Sequence, residues 1–169
     1  MHERARALID RLGLRPHPEG GYYGEVFRSD LTVQPADGRE PRRAITAIYF
    51  LLPAGEHSAW HRVASDEVWM HIEGDALNLW CCDLAPESNA GASIPSGVRT
   101  LTVGRLDQNA SPIQIVRAGT WQSAEPLGEY TLVGCTVGPG FEFVDFTLAR
   151  DEPSAVRSLV DAGCPERLL

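Results

Sequence analysis

The segment Gly55–Gly74, GEHSAWHRVASDEVWMHIEG, constrains the fold of this chain more than any other. Its two glycines frame His61 and Glu67, with a short Ala-Ser-Asp run between them. Successive side chains of a β-strand point to opposite faces. His61 on one strand, and Glu67, Trp69 and His71 on the next, can therefore line a single cavity. The segment predicts two strands joined by a tight turn, with a polar site between them. The alternative is a plain hairpin that buries a hydrogen-bonded histidine.

Strand-like runs recur along the rest of the chain. Residues 45–52 form a continuous β-branched and aromatic run, typical of a strand buried on both faces. Further runs follow with glycine and proline turns between them, which is typical of an all-β sandwich or barrel. Helical spacing of apolar residues predicts a short helix near each end, the first stopped by Gly13 and the second opened by Pro153. Residues 86–97 predict an exposed loop. Without a repeat or a linker, we expect one domain, 1–169.

The charge balance excludes several classes of function. The formal net charge of −8 argues against a nucleic-acid partner, because such proteins present clustered positive charge to phosphates. All 15 basic residues are arginine, which excludes lysine Schiff-base chemistry and a P-loop lysine. No apolar run approaches the roughly 20 residues that span a bilayer, and the charged N-terminus is unlike a signal peptide. We therefore expect a cytoplasmic protein with no membrane partner, and we expect its four cysteines to be free and buried.

Several segments, in order, resemble one known family. They are HPEGGYYGEVFRS at 17–29, TAIYFLL at 46–52, SAWHRVASDEVWMHIEGD at 58–75, VRAGTWQSAE at 116–125 and LVGCTVGPGFEFVDF at 132–146. The chain is similar to the cupins, and among them to the family labelled domain of unknown function 985. The resemblance implies an all-β double-stranded β-helix (jelly-roll) barrel and a homodimer, and the apolar spacing adds a short helix at each end of that barrel. It also extends to the metal-independent sugar-nucleotide epimerases of dehydrorhamnose synthesis, which share the barrel and use a histidine base.

Two metal ligands expected of a cupin are replaced in this chain. In the first cupin motif, G-x5-H-x-H-x3-E-x6-G, Val63 stands at the second histidine, and in the second motif Gln122 stands at the histidine. The remaining donors are His61, Glu67 and the weak amide oxygen of Gln122. Divalent iron, nickel or zinc sites generally use three or more good donors. We therefore expect no tightly bound metal and no cofactor. A divalent metal, if bound, would use His61, Glu67 and Gln122.

Without a metal, the same residues suit acid–base chemistry. We predict His61, Glu67 and Tyr49 as catalytic: a neutral imidazole takes a proton, a carboxylate fixes its tautomer, and a phenol returns a proton from the other face. The predicted ligand-binding residues are Arg28, Ser58, Trp60, Arg62, Trp69, His71, Trp121 and Gln122. The tryptophans can instead be core residues and the arginines surface ion pairs. We interpret His17 and Glu19 as turn-formers that fix the chain across the barrel mouth.

Three functions remain open at this point. The preferred one is a metal-independent isomerase- or epimerase-like enzyme acting on a small polar carbonyl or sugar compound. The second is a non-catalytic cupin that only binds a small ligand, and the third is a metallo-cupin with a degenerate ligand set. In each case the expected partners are a small molecule in the barrel and a second copy of the chain. Exchange of a substrate proton with solvent separates the first from the second, and metal content separates the third from both.

Overall fold

β-Strands dominate the computed structural model of this protein, which describes residues 1–84, 97–107 and 109–169. Its α-helices are α1 (Glu3–Leu12) and α2 (Pro153–Asp161). Its strands are β1 (Arg15–Pro16), β2 (Tyr22–Arg28), β3 (Thr32–Val33), β4 (Arg42–Arg43), β5 (Thr46–Pro53), β6 (Ser58–Val63), β7 (Asp66–Gly74), β8 (Leu77–Cys82), β9 (Val98–Val103), β10 (Ile113–Val116), β11 (Trp121–Pro126), β12 (Tyr130–Gly138) and β13 (Phe146–Leu148). The loop predicted at 86–97 lies outside the described residues, apart from Gly97.

The strands form two antiparallel sheets that pack face to face. One sheet has the strand order β1-β2-β5-β12-β7-β10, and the other has the order β13-β6-β11-β8-β9. A separate small hairpin pairs β3 with β4. This is the double-stranded β-helix arrangement that the family resemblance implies. Within the described ranges, no strand pairing joins the two sheets into a closed barrel.

The strands that carry His61 and Glu67 belong to different sheets. β6 pairs with β11 and β13, whereas β7 pairs with β12 and β10. The Ala64–Ser65 turn therefore crosses from one sheet to the other. A simple hairpin would have set the two side chains next to each other on one surface. The crossing instead sends them into the interior from opposite walls.

Alternate strand positions fill the space between the sheets. Phe50 and Leu52 of β5, Trp69 of β7, and Leu77 and Leu79 of β8 belong to one buried apolar cluster. Phe50 and Leu52 are two residues apart, as are Leu77 and Leu79, so both members of each pair point to the same face. Burying one such side chain contributes about 1.5–3 kcal/mol. A one-residue shift of any of these strands would expose its whole apolar set, which fixes the strand register.

Each helix covers the outer face of one sheet. Leu8 of α1 packs with Leu51 on the outside of the larger sheet. Leu159 of α2 packs with Trp60 and Trp121 on the outside of the smaller sheet. The apolar stripes that predict the helices are therefore the surfaces by which they dock.

The helix ends follow the predicted signals. α1 stops at Gly13, whose φ of 62° is a left-handed conformation that glycine adopts at little cost. α2 begins with Pro153 at its first turn, where the missing backbone N–H is not needed. Neither helix, nor any other described helical segment, has the length and apolar character required to cross a bilayer.

Candidate active site

A cavity of about 140 Å³ lies between the sheets and combines a buried polar cluster with aromatic walls. This volume is below the roughly 300–1,000 Å³ typical of ligand pockets, so the cavity suits a small molecule. The lining residues are Arg15, His17, Glu19, Tyr23, Glu25, Arg28, Thr46, Ile48, Phe50, His61, Val63, Glu67, Trp69, Cys135, Val137, Phe141, Glu142, Phe143 and Phe146.

His61 presents one ring nitrogen to this cavity. Its Nδ1 lies 2.8 Å from the carbonyl oxygen of Ala59 and 3.3 Å from the Ser58 hydroxyl. Because a carbonyl oxygen can only accept, Nδ1 carries the proton of the neutral ring, and Nε2 is left with its lone pair. Nε2 lies 3.4 Å from Oε2 of Glu19. The tautomer is therefore set by the backbone of β6, and not by Glu67 as the sequence suggested.

Glu67 enters the cavity from the opposite wall and is held by an amide. The side-chain nitrogen of Gln122 donates to Oε2 of Glu67 across 2.6 Å, and the oxygen of the same amide accepts from Nε1 of Trp69 at 3.1 Å. The three side chains are buried. Burial raises the pKa of Glu67 above its ordinary value and outweighs the opposing effects of the His61 charge and the Gln122 hydrogen bond. Glu67 can therefore hold a proton that an exposed glutamate would have lost.

A second buried carboxylate, Glu19, comes from the segment between β1 and β2. Its Oε2 lies 3.3 Å from Nδ1 of His17 as well as 3.4 Å from Nε2 of His61. Burial alone would raise the pKa of Glu19, but the charges and hydrogen bonds of His61, His17 and Ser58 outweigh it and hold that pKa below its ordinary value. The cavity thus contains two carboxyl groups whose pKa values shift in opposite directions. The shift favours the protonated form of Glu67 and the ionised form of Glu19.

Glycine brings Glu19 into position. Gly20 has a φ of 111°, and a β-carbon there would collide with the carbonyl oxygen of His57. The backbone N–H of Ala59 donates to the carbonyl oxygen of Glu19 at 2.7 Å, which ties the segment to β6. Only a residue without a side chain permits this close approach. The approach places the Glu19 carboxylate beside His61.

An ion-pair cluster and aromatic rings form the mouth of the cavity. The Arg28 guanidinium donates to Glu25 at 2.8 Å and to Glu142 at 2.7 Å. The Arg15 guanidinium lies 4.9 Å from the centre of the Tyr23 ring. The predicted anion clamp Arg28 therefore reaches the cavity, but two carboxylates already neutralise its charge.

Three predicted aromatic residues lie outside the cavity because of strand alternation. Trp60 precedes His61 and Trp121 precedes Gln122, so both point to the outer face and pack beneath α2. Tyr49 lies between two cavity-lining positions of β5 and therefore points outward, where it packs against the cluster under α1. The proton that Tyr49 was expected to return to the substrate would need another source.

The other predicted residues have different positions. Arg62 pairs with Glu152 at 2.9 Å and covers the outer side of the smaller sheet, so the surface ion-pair alternative describes it. His71 bonds through Nε2 to the carbonyl oxygen of Gly74 at 3.2 Å, near the end of β7 and away from the cavity lining. Ser58 and Gln122 stand behind the lining and orient His61 and Glu67.

The donors at the cupin metal positions do not fit a resident metal. Val63 faces the cavity with an apolar side chain, and the Gln122 oxygen is already occupied by the Trp69 N–H. Within residues 1–84, 97–107 and 109–169, no group of three or more His, Cys, Asp or Glu side chains is arranged to hold a metal ion. The geometry of this site is therefore that of a hydrogen-bonded acid–base cluster.

Sequence reasoning missed two residues of this cluster. His17 and Glu19 were interpreted as turn-formers, and they do form a turn, but both also line the cavity. The available signal was the pair of glycines directly after Glu19, because consecutive glycines mark a place where backbone approaches backbone closely.

Comparison with known proteins places these features in a family. The model of the family described as Cupin superfamily (DUF985) matches residues 6–149. A hypothetical protein from Leishmania major is 34% identical in sequence to this chain, and its structure matches with a TM-score of 0.76. The match covers 89% of this chain and 93% of that one. A protein from Shewanella oneidensis, known from an X-ray structure, is 30% identical with a TM-score of 0.79, covering 97% of this chain and 96% of its own.

A more distant structure shares the fold alone. A dTDP sugar isomerase from Desulfovibrio desulfuricans is 10% identical with a TM-score of 0.53, and the match covers 80% of this chain and 85% of that one. No curated protein matches the sequence significantly.

Proposed function

We propose that this chain, which belongs to the DUF985 family of the cupin superfamily, is a metal-independent isomerase- or epimerase-like enzyme that moves a proton on a small carbonyl compound. The observation that carries the proposal is the cavity-facing Nε2 of His61 opposite the buried carboxyl of Glu67. A basic nitrogen and a carboxyl on opposite walls can act on the same bound molecule from two sides.

The chemistry assigns one role to each side chain. Nε2 of His61 takes the proton from the carbon next to the carbonyl, and the electron pair of the broken C–H bond moves into the enolate. The carboxyl of Glu67 donates a hydrogen bond, and then its proton, to the enolate oxygen. Because burial raises the pKa of that carboxyl, it favours the protonated form that can act as the acid. Return of the proton from His61 to the neighbouring carbon, as Glu67 takes back a proton from the neighbouring hydroxyl, gives isomerisation. Delivery of a solvent proton to the other face of the same carbon gives epimerisation.

The cavity limits the substrate to a small molecule. A volume of about 140 Å³ accommodates a short carbonyl compound, or a sugar ring at most. The distant dTDP sugar isomerase shares the fold, but the nucleotide of such a substrate would have to lie outside this cavity. Trp69 and Arg28 are the predicted ligand-binding residues that line it, and we propose them as substrate contacts.

Hydrogen–deuterium exchange tests the proposal. Metal-free protein, prepared with a chelator, is incubated in D₂O with a panel of short ketones, α-hydroxy ketones, keto acids and simple sugars, and loss of the α-proton signal is followed by NMR. We expect exchange on at least one compound, and His61→Ala should reduce its rate by about 10²–10⁴-fold. His2→Ala, which changes an exposed histidine at the start of α1, is the matched control and should exchange at the wild-type rate.

A second function is favoured by the aromatic walls. Phe50, Phe141, Phe143 and Phe146 line the cavity around the polar cluster, and such walls can hold a ligand without transforming it. Tight binding of a panel compound that depends on His61, without any exchange, would support this binding function. Near-stoichiometric iron, nickel or zinc that is lost in His61→Ala would instead contradict the metal-independent proposal.

A further inference from the structure

The second buried carboxylate, Glu19, is better placed to work with His61 than Glu67 is. Its Oε2 lies 3.4 Å from Nε2 of His61, the nitrogen that faces the cavity. The carboxyl of Glu67, on the opposite wall, instead accepts a hydrogen bond from the Gln122 amide. Among the described residues, the ion-pair partner of His61 is Glu19.

The contact between His61 and Glu19 requires a proton. Nδ1 of His61 donates to the Ala59 carbonyl, so the Nε2 of a neutral ring presents a lone pair. An ionised carboxylate also presents lone pairs, and two such groups repel each other at this distance. Attraction arises once Nε2 takes up a proton and the ring becomes an imidazolium. This position is therefore a place where a proton removed from a ligand can be held.

His17 supports the same carboxylate from the other side. Its Nδ1 lies 3.3 Å from Oε2 of Glu19, and its ring packs edge-on against Tyr23 with centroids 4.6 Å apart. The backbone of the segment is fixed by the bond from Ala59 to the Glu19 carbonyl. A purely structural turn would not need to direct an ionised side chain into an enclosed cavity, where burial opposes the charge.

We infer that Glu19 is a second catalytic carboxylate of this centre, whose negative charge stabilises the imidazolium that His61 becomes when it removes a proton from the substrate. The inference rests on the proposed function and adds a group to it. The C–H bond of the substrate breaks as the N–H bond forms at Nε2, and the proton stays on Nε2 beside Oε2 of Glu19. Glu67 supplies the proton of the enolate oxygen. Both transfers reverse when the product forms, so the centre returns to its starting protonation and no other reactant is needed.

The role of His17 follows from its contact. It touches the carboxylate and not the reacting carbon, so it is a positioning residue that fixes the direction of the Glu19 oxygen. Replacing it should lower kcat while leaving KM nearly unchanged, because substrate contacts remain. A merely structural role would alter the unfolding midpoint without separating kcat from KM.

Glutamine and alanine substitutions of Glu19 test the inference by the same exchange assay. Glu19→Gln keeps the shape of the side chain but carries no negative charge to stabilise the imidazolium, so exchange should fall by about 10²-fold or more. Added formate should raise the exchange rate of Glu19→Ala, because a free carboxylate can occupy the vacated space. Glu129→Gln, at an exposed position, is the matched control and should exchange at the wild-type rate. Unfolding in urea shows whether each variant is folded.

An NMR measurement separates failure of this inference from failure of the proposed function. In its protonated form, His61 should give a downfield Nε2-bound proton resonance in wild-type protein and in Glu67→Gln, and Glu19→Gln should lose that resonance. Wild-type exchange that persists at full rate in Glu19→Gln overturns the inference and leaves the proposed function standing. If the wild type exchanges no compound, the proposed function and the catalytic role of Glu19 fail together. Identical His61 spectra in wild type and Glu19→Gln would overturn the proton-sharing contact itself.

Discussion

Replacing Gln122 by leucine should destabilise the fold through two partners at once. The Gln122 amide donates to Glu67 at 2.6 Å and accepts from Trp69 Nε1 at 3.1 Å, and both Gln122 and Trp69 are only 1% exposed. Leucine is of similar size, so little cavity forms, but the Trp69 N–H is left without an acceptor and without water. An unsatisfied buried donor costs about 1–3 kcal/mol, and the lost hydrogen bond to the Glu67 carboxyl adds about 1 kcal/mol. Gln122→Leu should therefore lower the free energy of unfolding by about 2–4 kcal/mol.

Urea denaturation followed by tryptophan fluorescence and circular dichroism measures this change. For a chain of this length, the same loss corresponds to a fall in Tm of about 4–16 °C. Gln114→Leu is the matched control, because Gln114 is half-buried and makes a single long bond of 3.3 Å to the Thr102 carbonyl. It should cost less than about 1 kcal/mol. A Gln122→Leu protein within about 0.5 kcal/mol of wild type would refute the amide bridge between Glu67 and Trp69.

Three further predictions address the metal positions, a surface ion pair and the assembly. The double substitution Val63→His/Gln122→His should create a site for about one divalent metal per chain, measured by metal analysis, and unchanged metal content would contradict our account of the replaced ligands. The Arg4 hydrogen bond lowers the pKa of Glu73 from its ordinary value of 4.5 to about 2. The ionised Glu73 therefore stabilises the fold fully at pH values above 4.5, and this stabilisation is lost as the pH falls towards 2. Glu73→Gln should therefore lower the urea midpoint at neutral pH, with a gap that closes near pH 2, whereas a gap that stays constant with pH would contradict this. We also predict a homodimer, with twice the chain mass in light scattering at micromolar concentration, and a monomer mass would contradict it.

Strand alternation explains how much of the site could be predicted from the sequence. Residues two apart on one strand share a face, which places Glu67 and Trp69 together. The same rule explains why the predicted ligand-binding residues Trp60 and Trp121 do not reach the cavity. Trp60 adjoins His61 and Trp121 adjoins Gln122, so each tryptophan points to the opposite face from its neighbour. Alternation thus turns only one member of each adjacent pair inward: His61 lines the cavity, and Gln122 lies behind the lining and bonds to Glu67.

Packing between distant segments could not be predicted in the same way. The β6–β7 turn has the length of a hairpin turn, and only pairing with β11 and β12 shows that it crosses between sheets. Glu19 reaches His61 because Gly20 lets its segment approach the backbone at His57. Such approaches depend on tertiary packing and leave no periodic pattern along the chain.

The same contrast holds for the fold as a whole. The family assignment is confirmed by the match over residues 6–149, and both helices lie where their apolar spacing predicts them. The aromatic and β-branched run at 141–149 has the composition of a strand, but Phe143–Asp145 forms a short 3₁₀ turn and only Phe146–Leu148 is extended. That turn brings Phe143 to the cavity mouth, so a departure from local strand propensity contributes to the site.

A crystal structure with a neutral enediolate mimic would test the central claim most directly. Acetohydroxamate is small enough for the cavity and resembles the intermediate that proton removal would form. Our account predicts that it lies between the two walls, with one oxygen within hydrogen-bond distance of His61 Nε2 and another near the carboxyl of Glu67. A mimic bound outside the cavity, or a metal ion coordinated by His61 in its place, would contradict the account.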